Sequence, residues 1–312
     1  MKLLIFVSIL IIAGVFITFR WRHIINPNKD GSFLIDNLQR TFIYHLPKNL
    51  KPNPKLIFVY HGTGMKTWMM QLFTGHEFDR LADNSQDAII VYPQGYETSW
   101  NDCRTIANTP PKKLNLDDVG FTEKIIGYFQ NKYEINSQEI YVVGFSNGGQ
   151  FATRLMNEKP ELFKGFAIIS APRSYENEMQ CNNAQSPVSV ILFNGMKDPI
   201  IPYNGGEVIL KGKSYGHVYS AEQSVLHWLT ASRCDTIPTS THDFKNKSGE
   251  VTAVQQFFSS IETGKKISFI KMLNGGHQIP NKKFSMGIPS MGYVNKEVDA
   301  PRLIWDFFES LK

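Results

Sequence analysis

Short runs of apolar and β-branched residues recur along the chain at 41–46, 55–61, 88–92, 139–143, 165–170, 188–193 and 266–273. Each has the length of a buried strand. Between many of them the apolar positions switch to helical spacing, near 66–83, 118–132, 147–158, 219–232 and 301–311. Alternation of this kind predicts an α/β fold, with a mostly parallel sheet and helices on both faces. Asp117 and Asp118 supply an N-cap and a negative first turn for the helix near 118–132. Between 236 and 258, two polar-alternating runs flank Lys247-Ser248-Gly249, which predicts a small hairpin added to the sheet.

The N-terminal run is of another kind. Residues 3–19 carry no charge and are followed by Arg20-Trp21-Arg22. That is the short end of a membrane span and also the long end of a signal-peptide core. The only small pair, Ala13-Gly14, leaves isoleucine at the −3 position, a poor cleavage site, and Trp21 with its arginines resembles an interfacial anchor. The expectation is an uncleaved signal anchor, with a cleaved signal peptide as the alternative. Residues 1–25 then form the leader and 26–312 the catalytic domain. Membrane contact is expected only through 3–19. The arginines follow the segment, so charge bias does not settle its orientation.

Composition narrows the classes of function. The 312 residues are 42% hydrophobic and 20% charged, enough for one large domain, and no repeat or linker divides them. A net charge of +5 without a basic stripe argues against a nucleic-acid partner. Cys103, Cys181 and Cys234 are widely spaced and form no metal or redox motif, and the histidines are scattered, so no metal site is expected. One disulfide is open to an exported chain, with the pairing undetermined.

The candidate chemistry sits at a strand end. Gly144-Phe145-Ser146-Asn147-Gly148 follows the run 139–143 and opens a helical pattern. A strand that reverses sharply into a helix strains its central residue and crowds its neighbours, and glycines two residues either side relieve the crowding. The serine hydroxyl then projects from the tip of the turn. A serine nucleophile needs a base, and the base needs an orienting carboxylate. In sheets of this type the order along the chain is serine, acid, histidine. Asp198 follows the strand ending at Asn194, and His277 follows the last strand, so both belong to the edge that carries Ser146. His-Gly-Thr-Gly at 61–64 ends an early strand where such folds supply a main-chain donor to the oxyanion. Thr63 and Asn147 are the candidate donors, and His61 reads as a structural loop residue.

The motifs HGTG, VYPQGYETSW, DDVGF, GFSNGG, NGMKDPIIPYNGG and NGGHQIP occur in this order. In that order they resemble the extracellular polyhydroxybutyrate depolymerase-like and feruloyl esterase-like families of α/β-hydrolases, from about residue 41 to the C-terminus. DDVGF, at 117–121, is the most distinctive of them. The resemblance implies export and hydrolysis of carboxylic esters, often on polymers, without metal or organic cofactor. Ser146, Asp198 and His277 would be nucleophile, acid and base. The chain departs from the family's usual His-x-Trp-Pro-Gly, reading His277-Gln278-Ile279-Pro280-Asn281. It also has no cysteine after 234 to partner Cys234.

The expected function is therefore a serine carboxylesterase working through an acyl-enzyme on short-chain hydroxyalkanoate, acetyl or feruloyl esters of polymers or oligomers. Acyltransferase or peptidase chemistry on the same machinery, or a non-catalytic binding protein, are the alternatives. Trp100 is a candidate platform for a sugar or aromatic group, with packing beneath the loop as the other reading. Ile279, in place of tryptophan, is a candidate acyl-pocket wall and leads to an expected preference for short acyl chains over feruloyl.

Overall fold

The computed structural model describes residues 28–181, 186–284 and 287–311. The hydrophobic segment 3–19, with its expected anchor role, lies outside the described residues. Among those described, no helix is long and apolar enough to cross a membrane.

The strands are β1 (Lys29–Ile35), β2 (Leu38–His45), β3 (Lys55–Tyr60), β4 (Ala88–Pro93), β5 (Ile140–Phe145), β6 (Gly165–Ile169), β7 (Val190–Gly195), β8 (Gly206–Leu210), β9 (Lys213–Val218), β10 (Ser240–Lys245), β11 (Val251–Ser259) and β12 (Lys266–Met272). The helices are α1 (Thr67–Phe73), α2 (Glu77–Ser85), α3 (Pro110–Lys113), α4 (Asp118–Tyr133), α5 (Asn147–Glu158), α6 (Ala221–Ala231) and α7 (Ala300–Glu309). Ten strands form one sheet in the order β1-β2-β4-β3-β5-β6-β7-β12-β11-β10. The six from β4 to β12 run parallel, and antiparallel hairpins close both edges.

The six residues of β3 are all buried because the sheet is covered on both faces. Leu56, Phe58 and Tyr60 enter the core made with α4, α5 and α6. Ile57 and Val59 enter the other, made with α1, α2 and α7. A parallel sheet sends each strand's carboxyl end to one rim, so the loops after β3, β4, β5, β7 and β12 gather there.

The expected hairpin is β10–β11, which extends the main sheet beyond β12. The single helix expected near 66–83 is two, α1 and α2, because Gly75 (φ 63°) and His76 (φ 55°) take the left-handed conformation between them. Strand β1 escaped the hydrophobic pattern because it is polar and mostly exposed. Its signal was the two-residue turn Asp36-Asn37, both at positive φ, which suits a tight hairpin into β2.

Every residue of 117–121 has a visible physical role, Val119 by packing into the core that α4 shares with the sheet. Asp117 caps α4, accepting the Gly120 N–H at 2.7 Å. A Cβ on Gly120 would lie 2.1 Å from that carboxylate. Asp118, fully buried, accepts from Arg40 and from the Asn101 N–H at 2.7 Å. Phe121 lies 4.4 Å beneath the Arg40 guanidinium. Asp118→Ala strands a buried guanidinium and a main-chain donor, so we expect a loss of about 3–5 kcal/mol in urea unfolding. The double substitution Arg40→Met with Asp118→Leu, which removes both charges, is expected to lose clearly less.

Candidate active site

The elbow begins with a backbone cost. Ser146 has φ 55° and ψ −120°, a conformation that costs a residue with a Cβ about 1–3 kcal/mol. Its surroundings leave no alternative. A Cβ on Gly144 would lie 2.3 Å from the Gly148 carbonyl oxygen, and one on Gly148 would lie 2.4 Å from that of Tyr60. The Ser146 N–H donates to Ile169 O at 2.9 Å, and Gln150 N–H donates to Ser146 O at 2.9 Å. The serine is thus pinned between β6 and the first turn of α5.

Asp198 and His277 stand at the ends of neighbouring strands, β7 and β12. The His277 Nδ1–H donates to Asp198 Oδ2 at 2.7 Å, and the Ser146 hydroxyl donates to His277 Nε2 at 2.9 Å. The direction of both bonds follows from the carboxylate, which only accepts: it sets the imidazole proton on Nδ1 and turns the Nε2 lone pair toward the serine. Asp198 Oδ1 accepts the N–H groups of Ile200 and Ile201, each at 2.8 Å. Both side chains are 3% exposed, so water competes little for these bonds. The ring of Phe145 backs the imidazole, with centroids 5.1 Å apart. The structure therefore brings together the three residues singled out from their order in the chain.

The His61–Gly64 turn runs beside the elbow, where a Cβ on Gly62 would lie 3.2 Å from that of Ser146. His61 is wholly buried. Its Nδ1–H donates to Gly62 O at 2.8 Å, and its Nε2 accepts the Gly95 N–H at 3.0 Å. Both ring nitrogens are engaged as in neutral imidazole, and burial holds its pKa down to about 4. Gly62 O belongs to the peptide unit that carries the Thr63 N–H, so the imidazole orients that donor. Thr63 itself is exposed. Asn147 is buried, and its amide is committed: Oδ1 accepts the Trp100 N–H at 2.8 Å and Nδ2 donates to Asp102 Oδ2 at 2.7 Å. What Asn147 can offer a ligand is its main-chain N–H.

Two expected substrate contacts are corrected. Trp100 has no exposed surface: its ring stacks on Phe151 at 5.3 Å, meets Tyr60 edge-on and donates its N–H to His61 O at 2.9 Å. It is packing beneath the loop, not a platform. Ile279 is 4% exposed and sits in the core with α1, α2 and α7, so it offers no wall to an acyl group. The preference for short acyl chains argued from it loses its basis. Asp102 went unnoticed in the sequence; its only signal was an acid beside Trp100 at the same rim. Cys103 pairs with Cys181, and Cys234 is free and buried.

A six-strand parallel core flanked by helices, with a serine elbow, an acid and a histidine at one rim, defines the α/β-hydrolase fold. The chain belongs to the esterase family described as "Putative esterase", which it matches over residues 36–228. It is 29% identical to the bifunctional acetylxylan esterase/xylanase XynS20E of Neocallimastix patriciarum over 169 residues, 54% of this chain and 22% of that protein. It is 26% identical to the probable feruloyl esterase C of Aspergillus flavus over 173 residues, 54% of this chain and 58% of that one. The chain therefore spans less than two thirds of either relative. An acetyl xylan esterase from Aspergillus awamori superposes with a TM-score of 0.54 at 14% identity, covering 81% of this chain and 95% of that one. A thermostable esterase superposes with 0.53 at 14% identity, over 92% and 63%. At such identity the likeness concerns the fold.

The low pKa of His61 fixes a pH dependence. The ordinary value is 6.5, so between pH 6.5 and 4 the unfolded chain takes up a proton that the folded one refuses. The stability contributed by neutral His61 is complete above pH 6.5 and is lost as pH falls toward 4. Unfolding of the wild type and His61→Gln at pH 7 and pH 4.5 checks this. The wild type is expected to lose about 2–3 kcal/mol more than the variant over that interval.

Proposed function

We propose that the protein is a serine carboxylic-ester hydrolase that works through an acyl-enzyme. The observation that carries this reading is the continuous hydrogen-bonded path from Ser146 Oγ through His277 to Asp198 at a strained strand-to-helix elbow. Ser146 Oγ attacks the ester carbonyl carbon while His277 Nε2 takes its proton, and the carbonyl oxygen becomes an oxyanion. The main-chain N–H groups of Thr63 and Asn147 are the donors assigned to that oxyanion. Collapse of the tetrahedral intermediate breaks the bond to the alcohol, which leaves with the proton from Nε2. Water then attacks the acyl-serine by the same route and releases the acid. Asp198 keeps the imidazole in the working tautomer and stabilises its positive charge. No step calls for a metal or organic cofactor.

The names of the relatives, acetylxylan esterase and feruloyl esterase, support acetyl or feruloyl esters as the substrate class. Export of the chain is part of the proposal. The Cys103–Cys181 disulfide supports it, and residues 1–25 would serve as the leader or anchor preceding the hydrolase domain.

Ser146→Ala is expected to lower turnover of p-nitrophenyl acetate by about a million-fold with the fold intact by circular dichroism, and to abolish labelling by a fluorophosphonate. Retention of a tenth of the activity would exclude Ser146 as nucleophile. Asp198→Asn permits the wrong imidazole tautomer, and a loss of about ten-thousand-fold is expected, the size of the same change in a serine protease. The comparison is with Asp243→Asn, on the exposed strand β10, for which turnover is expected to stay within twofold.

A further inference from the structure

The buried Trp100 touches both halves of the proposed oxyanion site. Its indole N–H donates to the carbonyl of His61 at 2.9 Å, and its main-chain N–H donates to the side chain of Asn147 at 2.8 Å. The first bond fixes the peptide unit leading into Gly62 and Thr63. The second, with the bond from Asn147 Nδ2 to Asp102, fixes the residue whose N–H follows the nucleophile. Tyr60, His61 and Phe151 hold the ring with centroids 5.1–5.3 Å away, and the Asn101 N–H next in the chain is held by buried Asp118.

We propose that Trp100 is the positioning residue of the oxyanion site, a rigid strut that sets the separation of its two donors. It touches no substrate. The need for such a strut follows from the topology. The two donors lie on different loops, one after β3 and one after β5, and each main chain is free to settle independently unless something ties them. Charge on the oxyanion is stabilised in proportion to how well both N–H groups are aimed before the reaction begins, because reorganising them during it costs free energy. An indole suits this role because its ring is too large to shift in a close-packed core, and its single N–H has one direction. The strut presupposes the proposed ester hydrolysis and goes beyond it, since the triad residues alone do not require one.

The test is Trp100→Phe, which keeps an aromatic ring and removes the N–H. Enzyme concentration is set by titration with a fluorophosphonate, so that loss of folded protein does not enter the rate. We expect kcat for p-nitrophenyl acetate to fall about 10- to 100-fold with KM changed less than twofold, since a donor displaced by a fraction of an ångström retains part of its effect. The affinity for an alkyl trifluoromethyl ketone, whose hemiketal oxygen occupies the oxyanion position, is expected to fall by the same factor. Replacement of Trp100 by 3-benzothienylalanine, which puts sulfur in place of the N–H and keeps the shape, serves if the phenylalanine variant does not fold, and the same losses are expected. A titrated kcat within twofold of the wild type, or ketone affinity unchanged, overturns the proposal. A wild type that neither hydrolyses p-nitrophenyl acetate nor takes the fluorophosphonate label would instead overturn the hydrolase reading itself, so the two failures are distinct.

Discussion

The rest of the site depends on one backbone torsion that the chain would not adopt by itself. Ser146 sits at positive φ with ψ far from helical values, and everything around it is arranged so that no relaxed alternative fits. The backbone of α5 comes so close to β5 at Gly144 and to β3 at Gly148 that neither glycine tolerates a Cβ. The burial of β5 on both faces supplies the free energy that holds the turn in place. Once the turn is fixed, the first turn of α5, the hydroxyl of Ser146 and the amide of Asn147 take their directions from it.

The support spreads well beyond the rim. Asp118 is anchored by Arg40 on β2, and through Asn101 it steadies the segment that carries Trp100 and Asp102. Asp102 in turn closes on Arg104 and on Asn147. A motif that contains no reacting group thus works as a foundation: its carboxylate is buried beneath the loop, and the loop leans on the elbow. Such a chain of interlocked polar groups in a dry interior is rigid because breaking any of its bonds would leave a further buried donor or acceptor unsatisfied.

How far this was legible in the sequence differs by kind of information. The triad order was readable because strand ends are marked by apolar runs, and a parallel sheet brings their carboxyl ends to one rim. Ser146, Asp198 and His277 needed no contact map. The role of Trp100 and the depth of Ile279 were not readable, since both depend on which side of a loop faces inward. A tryptophan in a polar-flanked loop looks the same whether it faces water or the core. The edge strand β1 was hidden because its stability comes from pairing with β2 and not from apolar patterning. The break between α1 and α2 was written in Gly75, but a lone glycine inside a helical pattern is ambiguous until tertiary contacts decide.

The disulfide braces this rim from outside the hydrogen-bonded network. Cys103 lies three residues past Trp100, and the Cys103 carbonyl accepts from Gln180, beside Cys181. Closing a loop across a separation of 78 residues removes on the order of 4 kcal/mol of freedom from the unfolded chain. The third thiol is a poor competitor: Cys234 is buried and burial pushes its pKa up, so little of the thiolate needed for exchange exists at neutral pH. Scrambling is therefore slow once the correct pair has formed, and the redox state of the compartment governs the stiffness of the loop beside the elbow. A chain matured in a reducing environment would carry every residue of the site and lack the brace that draws the 100–104 and 178–181 segments together.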